Sequence, residues 1–249
     1  MEGYVNKEML KPGLAEITFF HPKHNSLPSD VLALLAKTIE ECGTDDQVQV
    51  IILRSGGDRT FCAGASFDEL ISINDMDTGK QFFLGFANVI NALRKCPKLV
   101  IGRVQGKAVG GGVGVAASVD YCIASKFAAA KLSELNVGIG PFVVGPAVER
   151  KIGLSAFSQM TINADKWFTP EWALQKGLYA EVHEVEDLDA AVMKLADYLL
   201  STNPEAQSML KKVFWQNCEH WDELLDQRAA KSGKLVLSEY TKKTLQKYA

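Results

Sequence analysis

The chain is poor in the residues that announce a metal site, a disulfide framework or a charged partner. Its five cysteines, Cys42, Cys62, Cys96, Cys122 and Cys218, are odd in number and never form a C-x-x-C pair. This argues against a disulfide framework and against a zinc ribbon, and a reducing, cytoplasmic compartment is expected. Histidine is scarce: His21, His24, His183 and His220 show no H-E-x-x-H spacing. Cys218-Glu219-His220 is a poor chelate because neighbours on a helix point different ways, so no metal is expected. Gly-x-Ser-x-Gly is missing and no serine has an arguable histidine partner, which leaves a serine hydrolase without its nucleophile. Charge of one sign is also lacking. The net charge is −3 at pH 7, and the lysines from Lys231 to Lys247 read as a solvated face, so nucleic acid is not the expected partner. Arg103, Lys107 and many glycines break the longest apolar region, and Met1 to Glu8 lack the basic start and apolar run of a signal peptide. Neither a membrane span nor a leader is expected.

What is present is the composition of an ordinary globular protein. The chain has 249 residues, 47% of them hydrophobic and 23% charged, enough for a large core. Short apolar, β-branched runs predict strands over 14–20, 48–54 and 98–104. Helices are predicted over 29–42, from about Phe67, over 78–94 and over 113–119, and then over 188–200, 204–218 and 221–248. Strands and helices alternate to about residue 190, implying crossover connections; residues 191–249 read as all-helical.

Two segments concentrate the chemistry. Thr60-Phe61-Cys62-Ala63-Gly64-Ala65-Ser66-Phe67-Asp68-Glu69 and Val104-Gln105-Gly106-Lys107-Ala108-Val109-Gly110-Gly111-Gly112 each place small residues where a helix is about to begin. Each can aim backbone N–H groups at an anionic oxygen, and a pair of such loops makes an oxyanion hole. Ser66-Phe67-Asp68-Glu69 fits a capping box, in which Ser66 and Glu69 each satisfy an N–H at the helix start, leaving the Ala65 N–H just outside. Taken alone, either loop is equally well a turn that needs small residues for packing. Gly112-Val113-Gly114-Val115-Ala116-Ala117 also matches the G-x-G-x-x-A of a dinucleotide-binding turn, but that reading leaves Phe61 to Ser66 unexplained.

FCAGASFDEL, VQGKAVGGGVGVAASVDYCIAS and KLSELNVGIGPFVVGPAVERKIG, in that order, resemble the signature regions of the crotonase (enoyl-CoA hydratase/isomerase) superfamily. The resemblance covers about residues 10–190. It implies an α/β fold, a crotonase-like spiral of ββα units over residues 1–190 with a helical C-terminal trimerisation region over 191–249. It also implies an acyl-CoA substrate that brings its own coenzyme A, no separate cofactor, and a homotrimer or hexamer. The family's oxyanion donors fall on Ala65 and Gly111, and its adenine-binding backbone falls on Ala63. The candidates for the coenzyme phosphates are Lys23 and, on the last helix, Lys242, Lys243 and Lys247.

The departures from the family pattern bear on the reaction. Family hydratases carry two glutamates; here Gly114 occupies the first position and only the second remains, as Glu134. Adding water needs a group that activates it and a source of a proton for the α-carbon, whereas moving a double bond needs one base that returns the proton it took. The pattern resembles single-glutamate isomerases of the family, and a glutamate introduced at position 114 is expected to raise hydration. Asp68 is a lesser candidate for a second carboxyl. The stretch from Gly138 to Pro146 is similar to the methylglutaconyl-CoA hydratase branch, which implies a branched acyl group as an alternative. Loss of the first glutamate also leaves open a non-catalytic acyl-CoA-binding or RNA-binding member of the fold.

Overall fold

A computed structural model of the chain describes residues 3–247. In chain order the first elements are β1 (Tyr4–Lys11), β2 (Gly13–Phe20), β3 (Ser26–Leu27), α1 (Ser29–Thr44), β4 (Val48–Ser55), β5 (Thr60–Cys62), β6 (Gly64–Ala65), α2 (Phe67–Ser72) and α3 (Met76–Lys95). There follow β7 (Leu99–Val104), β8 (Lys107–Val109), α4 (Gly111–Ser118), β9 (Tyr121–Ser125), β10 (Ala130–Lys131), a single 3-10 turn (Glu134–Val137) and α5 (Gly145–Ile162). The chain continues through α6 (Pro170–Lys176), β11 (Glu181–His183), α7 (Val185–Leu200), α8 (Pro204–Phe214), α9 (Trp221–Val236) and α10 (Glu239–Leu245).

Long strands build one sheet, in the order β1-β2-β4-β7-β9-β11, while the short strands that follow them build β10-β8-β5 and β3-β6. Except for the antiparallel β1–β2 pair, the main sheet is parallel, as crossover connections require. The result is the expected spiral of ββα units with a helical C-terminal region.

Alternation along the strands divides the apolar residues between the sheet's faces. Ile17, Ile51, Leu53, Val100 and Cys122 join residues of α1, α3 and α4 in the main core. Leu14, Val50, Ile52, Ile101 and Ile123 meet Leu188, Val192 and Ala196 of α7 on the other face. Full burial of each of the larger side chains is worth roughly 1.5–3 kcal/mol. The expected division near residue 190 therefore falls inside α7, whose buried face completes the sheet's own core. A buried ion pair fastens the next helix: Lys211 Nζ on α8 lies 2.6 Å from Asp120 Oδ2 at the start of β9. The same carboxylate oxygen accepts the Val100 N–H at 2.8 Å.

Several boundaries differ from the sequence reading. β1 went unforeseen because it is an edge strand, mostly exposed and interrupted by Lys7, Glu8 and Lys11, the pattern that guards edges against pairing. The helix expected over 204–218 ends at Phe214, and Asn217 then turns into the left-handed region at φ 63°. The helix expected over 221–248 breaks after Val236, and Ser238 starts α10 by accepting the Thr241 N–H at 3.3 Å; Tyr248 lies outside the described residues.

Half of the expected capping box is corrected. Ser66 Oγ accepts the Glu69 N–H at 3.3 Å, but the Ser66 N–H is already bonded to the Leu27 carbonyl at 2.9 Å. The Glu69 carboxylate instead crosses to α1, accepting the Ser29 N–H at 3.1 Å and the Ser29 hydroxyl at 2.5 Å. It supplies the cap that Pro28, at the N-cap position of α1, cannot provide. Glu69→Ala is therefore expected to cost about 1 kcal/mol and to lower the melting temperature by about 2–4 °C. Thermal denaturation followed by circular dichroism checks this, and an unchanged midpoint would show that α1 needs no such cap.

Candidate active site

The first glycine loop joins β5 to α2 through β6, and the strand before α1 pins it. Ala63 N–H donates to the Asn25 carbonyl at 3.1 Å, and the Ala65 carbonyl accepts the Ser26 hydroxyl at 2.9 Å. Gly64 bends the chain at φ 95°, a conformation open to residues without a Cβ. The second loop leaves β8, turns at Gly110 with φ 53° and enters α4 directly. Gly111 is the first residue of that helix, so its N–H has no acceptor within it.

The two loops lie in contact. A Cβ on Gly112 would sit 2.5 Å from the Cys62 carbonyl oxygen, and one on Gly64 would sit 3.7 Å from the Gly111 nitrogen. Ala63, Ala65 and Gly111 consequently open onto one cavity of about 190 Å³. The Gly112 to Ala117 run, whose spacing also matched a dinucleotide-binding turn, is buried helix.

Glu134 reaches the same cavity from the 3-10 turn after β10. That turn closes at Gly138, φ 83°, and α10 holds it through a 3.2 Å bond from the Thr241 hydroxyl to the Gly138 carbonyl. The carboxyl stands over the second glycine loop: a Cβ on Gly110 would lie 3.1 Å from Glu134 Oε1. Part of the side chain remains accessible, but Oε2 is closed off and has no hydrogen-bond partner among the described residues. Burial pushes the Glu134 pKa up to about 7, against a smaller opposing pull from its own backbone N–H.

The remaining wall is apolar. Phe82, Phe83 and Phe86 of α3, Leu70 of α2, Ile139 and Phe142 line it, and Ser133 and Ser232 add the only other polar side chains among the described residues. Ser232 and the α3 aromatics were not foreseen, because only the docking of α9 and α3 brings them to the loops.

The other candidates lie elsewhere. Asp68 and Lys23 form an exposed ion pair with each other and neither lines the cavity. Lys242, Lys243 and Lys247 are exposed, at or just beyond α10. Gly114 is buried in α4, and a Cβ there would meet Val144 Cγ1 at 2.5 Å and Val144 Cβ at 2.8 Å. The position of the missing carboxylate is thus filled from outside α4 by a valine that itself lines the cavity.

The family model described as enoyl-CoA hydratase/isomerase matches residues 10–249. The chain belongs to this family. Among enoyl-CoA hydratase/isomerase relatives, a short-chain-enoyl-CoA hydratase of Clostridium acetobutylicum is 32% identical over 202 residues, 80% of this chain and 77% of that one. A trans-2-decenoyl-[acyl-carrier-protein] isomerase of Streptococcus mutans is 26% identical over 221 residues, 86% of this chain and 83% of that one. The crystal structure of an enoyl-CoA hydratase from Bacillus halodurans superposes with a TM-score of 0.90 at 23% identity, covering 98% of this chain and 99% of that one. That likeness establishes the fold. The protein is an enzyme of the lyase or isomerase class acting on acyl-CoA. Among the described residues no helix is long and apolar enough to cross a membrane.

Proposed function

We propose that this enzyme moves the double bond of an enoyl-CoA, with Glu134 as the one proton-transferring group and the N–H groups of Ala65 and Gly111 as donors to the thioester oxygen. The observation that carries this reading is that Glu134 is the one carboxylate lining the cavity among the described residues, while Val144 fills the space beside Gly114.

Ionised Glu134 removes a proton from C2 of a 3-enoyl thioester, and the electron pair delocalises into a dienolate. The negative charge grows on the thioester oxygen, where each N–H donor is worth about 3–4 kcal/mol. The same carboxyl, now protonated, returns the proton to C4. The product is the 2-enoyl thioester, Glu134 is again a carboxylate, and no water is consumed. A carboxyl of pKa about 7 suits both halves of this transfer.

The Ala63 N–H is committed to Asn25, so what Ala63 offers an adenine amino group is its carbonyl. Lys242 and Lys243 on α10, the helix that packs on the Glu134 turn, and Lys23 once released from Asp68, are the cations for the coenzyme phosphates. A dicarboxylic acyl group of the methylglutaconyl kind would need a cation within the cavity, and no Lys, Arg or His lines it among the described residues. The family's trimeric or hexameric assembly, and a cytoplasmic location, are part of the same proposal.

The purified protein is to be given 2-enoyl-CoA and 3-enoyl-CoA separately, with products resolved by chromatography and mass. A same-mass isomer from the 3-enoyl substrate is expected. A water-added product from the 2-enoyl substrate would overturn the isomerase reading.

A further inference from the structure

Ser232 is only 1% exposed, yet it lines the cavity. Buried or half-buried hydroxyls on other helices return to the carbonyl four residues earlier: Thr38 to Leu34 at 2.8 Å, Ser118 to Gly114 at 2.7 Å and Thr161 to Phe157 at 2.9 Å. Ser232 makes no such bond, and its Oγ has no hydrogen-bond partner among the described residues. A hydroxyl that faces a mostly apolar cavity without a protein partner is left to water or to a polar atom of whatever fills the cavity.

Its position is rigidly set. Next to it, Gly233 packs against α3 so closely that a Cβ there would lie 2.7 Å from the Lys80 nitrogen, and one on the facing Gly79 would lie 3.0 Å from the Gly233 Cα. Ser232 thus enters from α9, which packs on α3 and α10, and not from the loops bearing Ala65 and Gly111. The wall of the same cavity includes Phe82, Phe83 and Leu70. Lys80, whose backbone meets Gly233 across that helix contact, spends its ammonium on Asp226 at 2.8 Å.

We propose that Ser232 is a specificity-determining residue whose hydroxyl hydrogen-bonds an uncharged oxygen, hydroxyl or keto, carried on the acyl chain away from the thioester. The proposal rests on the enoyl-thioester reading above and names its substrate class: a short, oxygenated enoyl thioester. The absence of a lining cation among the described residues separates this from recognition of a distal carboxylate. Size agrees with a short chain, since the cavity of about 190 Å³ compares with roughly 150 Å³ for an apolar cavity that holds benzene, a six-carbon ligand.

The test is calorimetric binding, together with turnover, of 3-hexenoyl-CoA and its 5-hydroxy and 6-hydroxy counterparts to the wild type, Ser232→Ala and Ser232→Cys. Cysteine keeps the branching of serine in a slightly larger side chain with a much weaker hydrogen bond, so it stands in if alanine leaves a gap. The wild type is expected to prefer one hydroxylated thioester by about tenfold. Both variants are expected to abolish that preference while leaving affinity for the plain chain within about twofold. Equal binding of all three thioesters to wild type, or a preference that survives both substitutions, overturns the role of Ser232 and leaves the enoyl-thioester reading standing. No binding of any thioester overturns that reading, and this proposal with it.

Discussion

Glu134→Gln is expected to slow conversion of a 3-enoyl thioester by about a thousandfold while making the folded protein more stable above pH 7. The rate follows from the loss of the one carboxylate among the described residues that lines the cavity and could take and return a proton; affinity for the thioester should hardly move, because the amide keeps the carboxyl's shape. The stability follows from the displaced titration. Glu134 ionises at about 7 in the folded chain, against 4.5 for an ordinary glutamate. Below the ordinary value both folded and unfolded chains carry the proton and the group is neutral to stability. Between the two values the unfolded chain has lost the proton and the folded chain holds it, so stability falls as pH rises. Above about 7 the whole cost is present, on the order of 2–3 kcal/mol after allowing for the accessible part of the side chain. Glutamine carries no such cost, so the variant should match wild type near pH 4 and exceed it at pH 8. Denaturant unfolding at both pH values checks this; equal stability at pH 8 would show that the carboxylate is solvated. The wild-type kcat/KM should rise with pH through an apparent pKa near 7, since the base works ionised.

Gly114→Glu is expected to destabilise the protein by about 4 kcal/mol or more and to bring no hydratase activity. The sequence by itself suggested that restoring this glutamate would raise hydration. The structure leaves it no room, since the first side-chain carbon would already lie 2.5 Å from Val144 Cγ1. Overpacking costs about 1–3 kcal/mol, and an unpaired buried carboxylate adds a penalty of comparable size or larger. Adding Val144→Ala should recover part of the loss. The readout is the unfolding free energy of the single and double variants beside the yield of water-added product. A single variant as stable as wild type that hydrates a 2-enoyl thioester would refute the account of Val144 as the plug of that site.

Glu69 shows how far local reading reaches. The spacing Ser66-x-x-Glu69 defines a capping box by sequence, and the serine half is present because it involves only residues three apart. The glutamate half is not, because β3 pairs with β6 and brings the start of α1 beside α2. There an uncapped helix end competes for the same carboxylate. Lys23 and Asp68 behave alike: each looked like a ligand-facing charge, and the fold pairs them with each other on the surface.

The sequence by itself determined the family, the order of strand and helix, and the two glycine loops with Glu134, because these depend on residue type and spacing along the chain. A glycine that must turn or let backbones touch leaves a mark that needs no partner to be read. Only the tertiary structure decided that Val144 closes the space beside Gly114, that α7 completes the sheet's second face, and that Ser232 lines the same cavity as Glu134. These facts depend on which segments meet across long stretches of chain. At such meetings a valine, a leucine or a serine is an ordinary residue until packing fixes what its side chain faces.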